Sequence, residues 1–119
     1  MNLIFKICGE DEWRSAEQRG AYHGSTVDAR DGFIHFSTAE QLAETAAKHF
    51  VGRADLVLIA VEAEALGGDL RFEPSRGGAL FPHLYAALPL SAVRFVERMP
   101  LDTEGRHRLP PPERLRPAR

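Results

Sequence analysis

The sequence predicts a single α+β domain built on a mixed or largely antiparallel sheet, and three observations lead there. A chain of 119 residues suffices for one hydrophobic core and is too short for two. Apolar residues at 44% beside 27% charged ones are the balance of a folded globular chain, not of a disordered or fibrous one. The hydrophobic patterns give about five strands and two main helices that do not strictly alternate, which is the order of α+β chains.

Taken in order, residues 3–8 alternate as a strand, with Leu3, Phe5 and Ile7 on one face and Ile4, Lys6 and Cys8 on the other. Lys6 is the odd member of that set. Glu10, Asp11 and Glu12 make an acidic first turn, and Gly20 is a stop signal, so a helix is predicted over 11–19 with Trp13 and Ala16 on its buried side. Residues 22–30 read as a polar connection that ends in the turn signal Asp31-Gly32. Residues 33–36 then form a short strand with Ile34 and Phe36 on one face and Phe33, His35 and Ser37 on the other. Ser37 or Thr38 is predicted to cap a helix over 39–50, with Glu40 or Gln41 completing a capping box. The free amides of that helix start, close to His35, would suit an anion such as a phosphate.

The unbroken apolar run 56–61 predicts a central strand covered on both faces. Residues 62–66 make one helical turn stopped by Gly67-Gly68. A strand over 70–73 follows, cut off by Pro74, with Leu70 and Phe72 inward and Arg71 and Glu73 on the opposite face. In the extended stretch 80–85, Phe81, His83 and Tyr85 share one side, and 92–99 is a last strand before Pro100.

The formal net charge of −2 conceals a split. Residues 106–119 carry five arginines against Glu113, a net of +4, so residues 1–105 hold 10 basic against 16 acidic groups, a net of −6. An acidic body argues against a nucleic-acid surface. The basic tail could meet RNA or an acidic macromolecule. Its Pro110-Pro111-Pro112 run instead predicts a disordered end that adds little to the fold, leaving 1–105 as the domain. The single cysteine, Cys8, excludes an internal disulfide and suits a reducing compartment. With no apolar run near the ~20 residues of a membrane span and no leader pattern, the expected location is the cytoplasm.

Of five histidines, His49 lies on the apolar side of a helix, His107 in the tail and His23 in a polar loop. His35 and His83 stand apart, because each sits in an extended apolar segment with hydroxyls close behind, Ser37 and Thr38 in one case and Tyr85 in the other. The spacing holds no zinc motif, no Walker loop and no nucleophile elbow, so no metal is expected. The two histidines are expected to share one cleft, with Ser37 and Thr38 at its opening.

The segments Ile4-Phe5-Lys6-Ile7, Gly32-Phe33-Ile34-His35-Phe36-Ser37-Thr38-Ala39-Glu40-Gln41, Leu56-Val57-Leu58, Arg71-Phe72-Glu73-Pro74 and Phe81-Pro82-His83-Leu84-Tyr85 together resemble the small bacterial and plant family known as domain of unknown function 952. The resemblance runs over roughly residues 3–98. It implies a fold similar to ADP-ribosyltransferases and RNA 2′-phosphotransferases, which bind NAD in the cleft of a split, largely antiparallel sheet. Carried over by position, Lys6 takes the first-strand place, Ser37 and Thr38 the second, and Glu73 the acidic place that polarises a ribose hydroxyl. On this reading the chain binds NAD or a related nucleotide and acts as an ADP-ribosyl- or phosphoribosyl-type transferase. The catalytic candidates are His35, His83 and Glu73, and the ligand-binding candidates are Lys6, Ser37, Thr38, Phe81 and Tyr85. Two alternatives stay open: a non-enzymatic ligand-binding or interaction module with structural histidines, and a two-histidine phosphodiesterase built on the His35-Phe36-Ser37 pattern.

Overall fold

The computed structural model describes residues 2–115 and is a mixed α+β globule with antiparallel sheets. Strand β1 (Leu3–Gly9) runs into helix α1 (Glu10–Arg19), whose acidic first turn faces the positive end of its own dipole. Gly20 closes α1 in the left-handed region at φ 87°, a conformation only glycine adopts cheaply. Strand β2 (Ala21–Tyr22), helix α2 (Thr26–Asp31) and strand β3 (Ile34–His35) follow, then helix α3 (Leu42–His49). The second half holds β4 (Leu56–Glu62), β5 (Leu70–Pro74), β6 (Leu80–Leu84), β7 (Leu88–Pro89) and β8 (Val93–Arg98).

Two three-stranded antiparallel sheets, ordered β1-β4-β8 and β3-β6-β5, form the body, with β2-β7 as a small ribbon. The two sheets are stitched at one point, where Phe5 and Ser37 exchange both backbone hydrogen bonds at 2.8 Å. The run 56–61 is the central strand that its composition predicts. Val57, Ile59 and Val61 join Ile4, Trp13, Ala16 and Tyr22 in one core, while Leu56, Leu58 and Ala60 join Phe5, Ile7 and Leu42 in the other. A strand covered on both faces must be apolar at every position.

Four expectations need correction. The connection 22–30 contains helix α2, with Ser25 as its N-cap and Asp28 completing a capping box. Its one buried residue is polar, so hydrophobic periodicity could not reveal it. Helix α3 starts at Leu42, with Gln41 rather than Ser37 or Thr38 at its N-cap and no side-chain cap. Ser37 spends its backbone on Phe5 and its hydroxyl on Thr45, and α3 begins five residues further on, beyond its reach as a cap. Phe72 is 49% exposed, since alternation along β5 puts Arg71 and Glu73 on the face that carries His83 and leaves Phe72 on the other.

The tail is the fourth. Residues 106–115 return onto the body, where Leu109 and Leu115 pack against the second core and Arg114 lies over the Phe95 ring at 4.9 Å and pairs with Glu97. Residues 116–119, the rest of the expected disordered end, lie outside the described residues. Among the described residues, no helix is long and apolar enough to cross a membrane.

Candidate functional site

The site forms where the two sheets meet. Antiparallel pairing of β3 with β6 sets His35 directly opposite His83. Opposed residues project to the same face, so the two imidazoles stand edge to face with centroids 5.5 Å apart. Both line a cleft of about 630 Å³ whose walls include Lys6, Asp28, Ser37 and Phe81. That volume suits a small organic ligand.

Asp28 organises one wall. It is only 3% exposed, yet both oxygens are fully engaged. Oδ2 accepts from Lys6 Nζ and from the Ser25 backbone N–H, each at 2.8 Å, and Oδ1 accepts from the His35 backbone N–H at 3.1 Å. The His35 ring Nδ1 is 2.7 Å from the same Oδ1. A lysine on the apolar face between Ile4 and Cys8 is tolerable only with such a counter-charge, because a buried unpaired ammonium is severely penalised. Burial pushes the Asp28 carboxyl up, but the hydrogen bond from His35, the charge and hydrogen bond of Lys6 and the Ser25 amide outweigh it and hold the group below the usual carboxylate range. His35 Nε2 reaches Asp31 Oδ2 at 3.0 Å, so carboxylates flank both nitrogens of this ring.

His83 is held differently. Its Nδ1 lies 2.9 Å from Glu73 Oε1, which also accepts the Tyr85 hydroxyl at 2.7 Å. Those two bonds, Tyr85 first, hold the Glu73 carboxyl below its ordinary value. Phe33 stacks on one face of the imidazole at 4.1 Å. The residue is 4% exposed, and its Nε2 has no hydrogen-bond partner among the described residues. Cys8 borders the same cleft, but burial, with Glu12 adding to it, pushes its thiol up to about 12. It is no nucleophile at neutral pH.

Of the residues singled out from sequence, Lys6, His35, Ser37, Phe81 and His83 come together at the cleft. Ser37 is spent on a 2.9 Å hydroxyl contact with Thr45. Thr38 lies outside the lining, its backbone N–H bound to Gln41 Oε1 at 3.0 Å. Glu73 and Tyr85 are also outside the lining, at the Nδ1 edge of His83. Asp28 was missed, although Ser25-Thr26-Val27-Asp28 has the spacing of a capping box and could have flagged the helix that carries it. Among the described residues no three His, Cys, Asp or Glu side chains gather as metal ligands.

Gly24 enforces the close approach of α2. It sits at φ +99°, and a Cβ there would lie 2.8 Å from Asp28 Cβ. Gly24→Ala is therefore expected to cost about 1–3 kcal/mol in urea unfolding and to disturb the amide and ring resonances of His35. A variant as stable as the parent would contradict this packing.

Fold and site together define a small α+β domain with a two-histidine cleft between antiparallel sheets. The chain belongs to the family described as "Protein of unknown function (DUF952)", whose model matches residues 7–96. It is 52% identical to protein CC0527 from Caulobacter crescentus over 95% of this chain and 97% of that one, with a TM-score of 0.88 to the crystal structure. The solution NMR structure of CC0527 matches at a TM-score of 0.80 and 55% identity over 89% of this chain and 91% of that one. Among curated proteins none matches the chain.

Proposed function

We propose that the cleft binds a nucleotide, with NAD or an ADP-ribose-type ligand as the first candidate. The observation that carries this reading is His83, a buried imidazole in the cleft wall whose Nε2 has no protein partner. Buried polar atoms are almost always satisfied, and a ligand in the cleft would supply the partner this one lacks. Arg30 and Arg53, paired with Asp31 and Asp55, border the same cleft and are the guanidinium groups an anionic ligand would meet there. Two antiparallel sheets joined at the Phe5–Ser37 bridge support a likeness to the split sheet of ADP-ribosyltransferases, and transferase chemistry is the extension of this reading. In it His83 contacts the ligand, Phe81 offers an apolar wall and Glu73 acts through His83 rather than on the ligand itself.

A second reading, phosphodiester chemistry by two histidines, is favoured by the 5.5 Å spacing of the rings. One experiment separates these readings. NAD, ADP-ribose, nucleoside monophosphates and cyclic nucleotides are each added at about a hundredfold excess over Kd, which stabilises a binding protein by about 2.7 kcal/mol. The melting temperature is expected to rise by several degrees with a nucleotide and to stay put in His83→Gln. Consumption of NAD would mark a transferase and cleavage of a cyclic nucleotide a phosphodiesterase. If no nucleotide moves the curve, the nucleotide reading falls and the ligand-binding or interaction module with structural histidines takes its place as the leading one.

A further inference from the structure

We infer that Glu73 fixes the tautomer of His83 with a proton on Nδ1, so that in the neutral ring Nε2 is the acceptor of a hydrogen bond from a hydroxyl of the ligand, as on the sugar of a nucleotide. Glu73 decides the tautomer. Its Oε1 already takes the Tyr85 hydroxyl, and an ionised carboxylate only accepts, so the 2.9 Å contact with His83 requires the proton on Nδ1. In a neutral ring the other nitrogen then carries a lone pair and no hydrogen. Phe33 stacked on the ring face and Tyr85 fixing Glu73 leave the imidazole little freedom to turn over.

The partner of Nε2 follows from this. In that neutral tautomer a phosphate oxygen would meet a lone pair and be repelled, whereas an alcohol hydroxyl donates into it. The contrast with His35 sharpens the assignment. Asp28 Oδ1 at 2.7 Å and Asp31 Oδ2 at 3.0 Å flank both nitrogens of that ring, so each of them already faces a carboxylate. Of the two neighbouring rings, only His83 has a nitrogen left without a protein partner among the described residues. The anionic part of a nucleotide is left to Arg30 and Arg53 at the border of the cleft. Glu73 is thus a positioning residue for His83. The choice of a sugar as the donor rests on nucleotide binding at the cleft, while the tautomer is a property of the free protein.

The test reads the proton directly. In protein labelled with 15N at histidine, at mildly alkaline pH, long-range proton–nitrogen correlations are expected to show His83 with a protonated Nδ1 and a bare Nε2. Glu73→Gln is expected to lose that selection and give a mixture of tautomers. ADP is expected to bind the parent about tenfold more tightly than its 2′,3′-dideoxy counterpart, the usual effect of losing one hydrogen bond to a buried acceptor. A proton on His83 Nε2 overturns the inference whether or not ADP binds. Equal affinity for ADP and the dideoxy compound overturns the hydroxyl contact. Failure of ADP and every other nucleotide to bind, with the tautomer as expected, removes the nucleotide reading and leaves the acceptor assignment standing.

Discussion

Asp28→Asn is expected to be the most damaging single change in this protein, lowering stability by about 3–5 kcal/mol and the melting temperature by roughly 12–20 °C. The cause is the charge left behind. Lys6 Nζ lies 2.8 Å from Asp28 Oδ2, and both side chains are nearly inaccessible to water, so the variant strands an ammonium between Ile4 and Cys8. Relieving that charge should restore stability, and Lys6→Met combined with Asp28→Asn is expected to regain more than half of the loss. The pH dependence has a definite sign. The folded-state pKa of Asp28 lies below the unfolded value near 4, so its contribution is complete above that value and is lost as pH falls toward the folded one. The gap between parent and variant is therefore flat through neutrality and narrows in acid. Urea unfolding at a series of pH values checks this, and a gap that widens in acid, or a double variant no better than the single one, would show that the Lys6–Asp28 pair does not pin the fold.

Truncation after Arg108 is expected to cost about 2–3 kcal/mol and lower the melting temperature by roughly 10 °C. It removes Leu109 and Leu115, both half-buried against Phe5, Ile7, Leu42 and Met99, together with the Arg114 contacts to Phe95 and Glu97. Full burial of a leucine is worth about 1.5–3 kcal/mol, and two half-buried ones give about the stated sum. Sequence alone argues the reverse. Three prolines and spaced arginines offer no periodicity, so the tail looked dispensable. Prolines hinder helix and strand but do not prevent a chain from lying in an extended path over an apolar groove. A truncated protein that melts with the parent would refute the docking.

The two histidines were legible because β3 and β6 each carry one among apolar neighbours, and alternation along a strand tells which residues share its face. Pairing register was not legible. That His35 stands against His83, and not two residues away, is set by backbone hydrogen bonds between segments 48 positions apart, which no local pattern encodes. Helix α3 shows the same limit from the other side. Ser37-Thr38-Ala39-Glu40 reads locally as a cap, but in the fold Ser37 meets Phe5 through its backbone and Thr45 through its hydroxyl, and the helix begins at Leu42.

By itself, then, the order of residues determined the α+β class, the doubly covered strand at 56–61, the buried side of α1 and the segments that carry the site histidines. All of these follow from periodicities within a dozen residues, because burial repeats every 2 or 3.6 positions. Only the tertiary structure decided that Asp28 holds Lys6 and His35, that Glu73 serves His83 from outside the cleft, and that Leu109 and Leu115 complete a core. Each of these is a meeting of groups distant in the chain. Hydrogen bonds and desolvation act over a few ångströms of space and are indifferent to separation in sequence, so such contacts have no local signature to read.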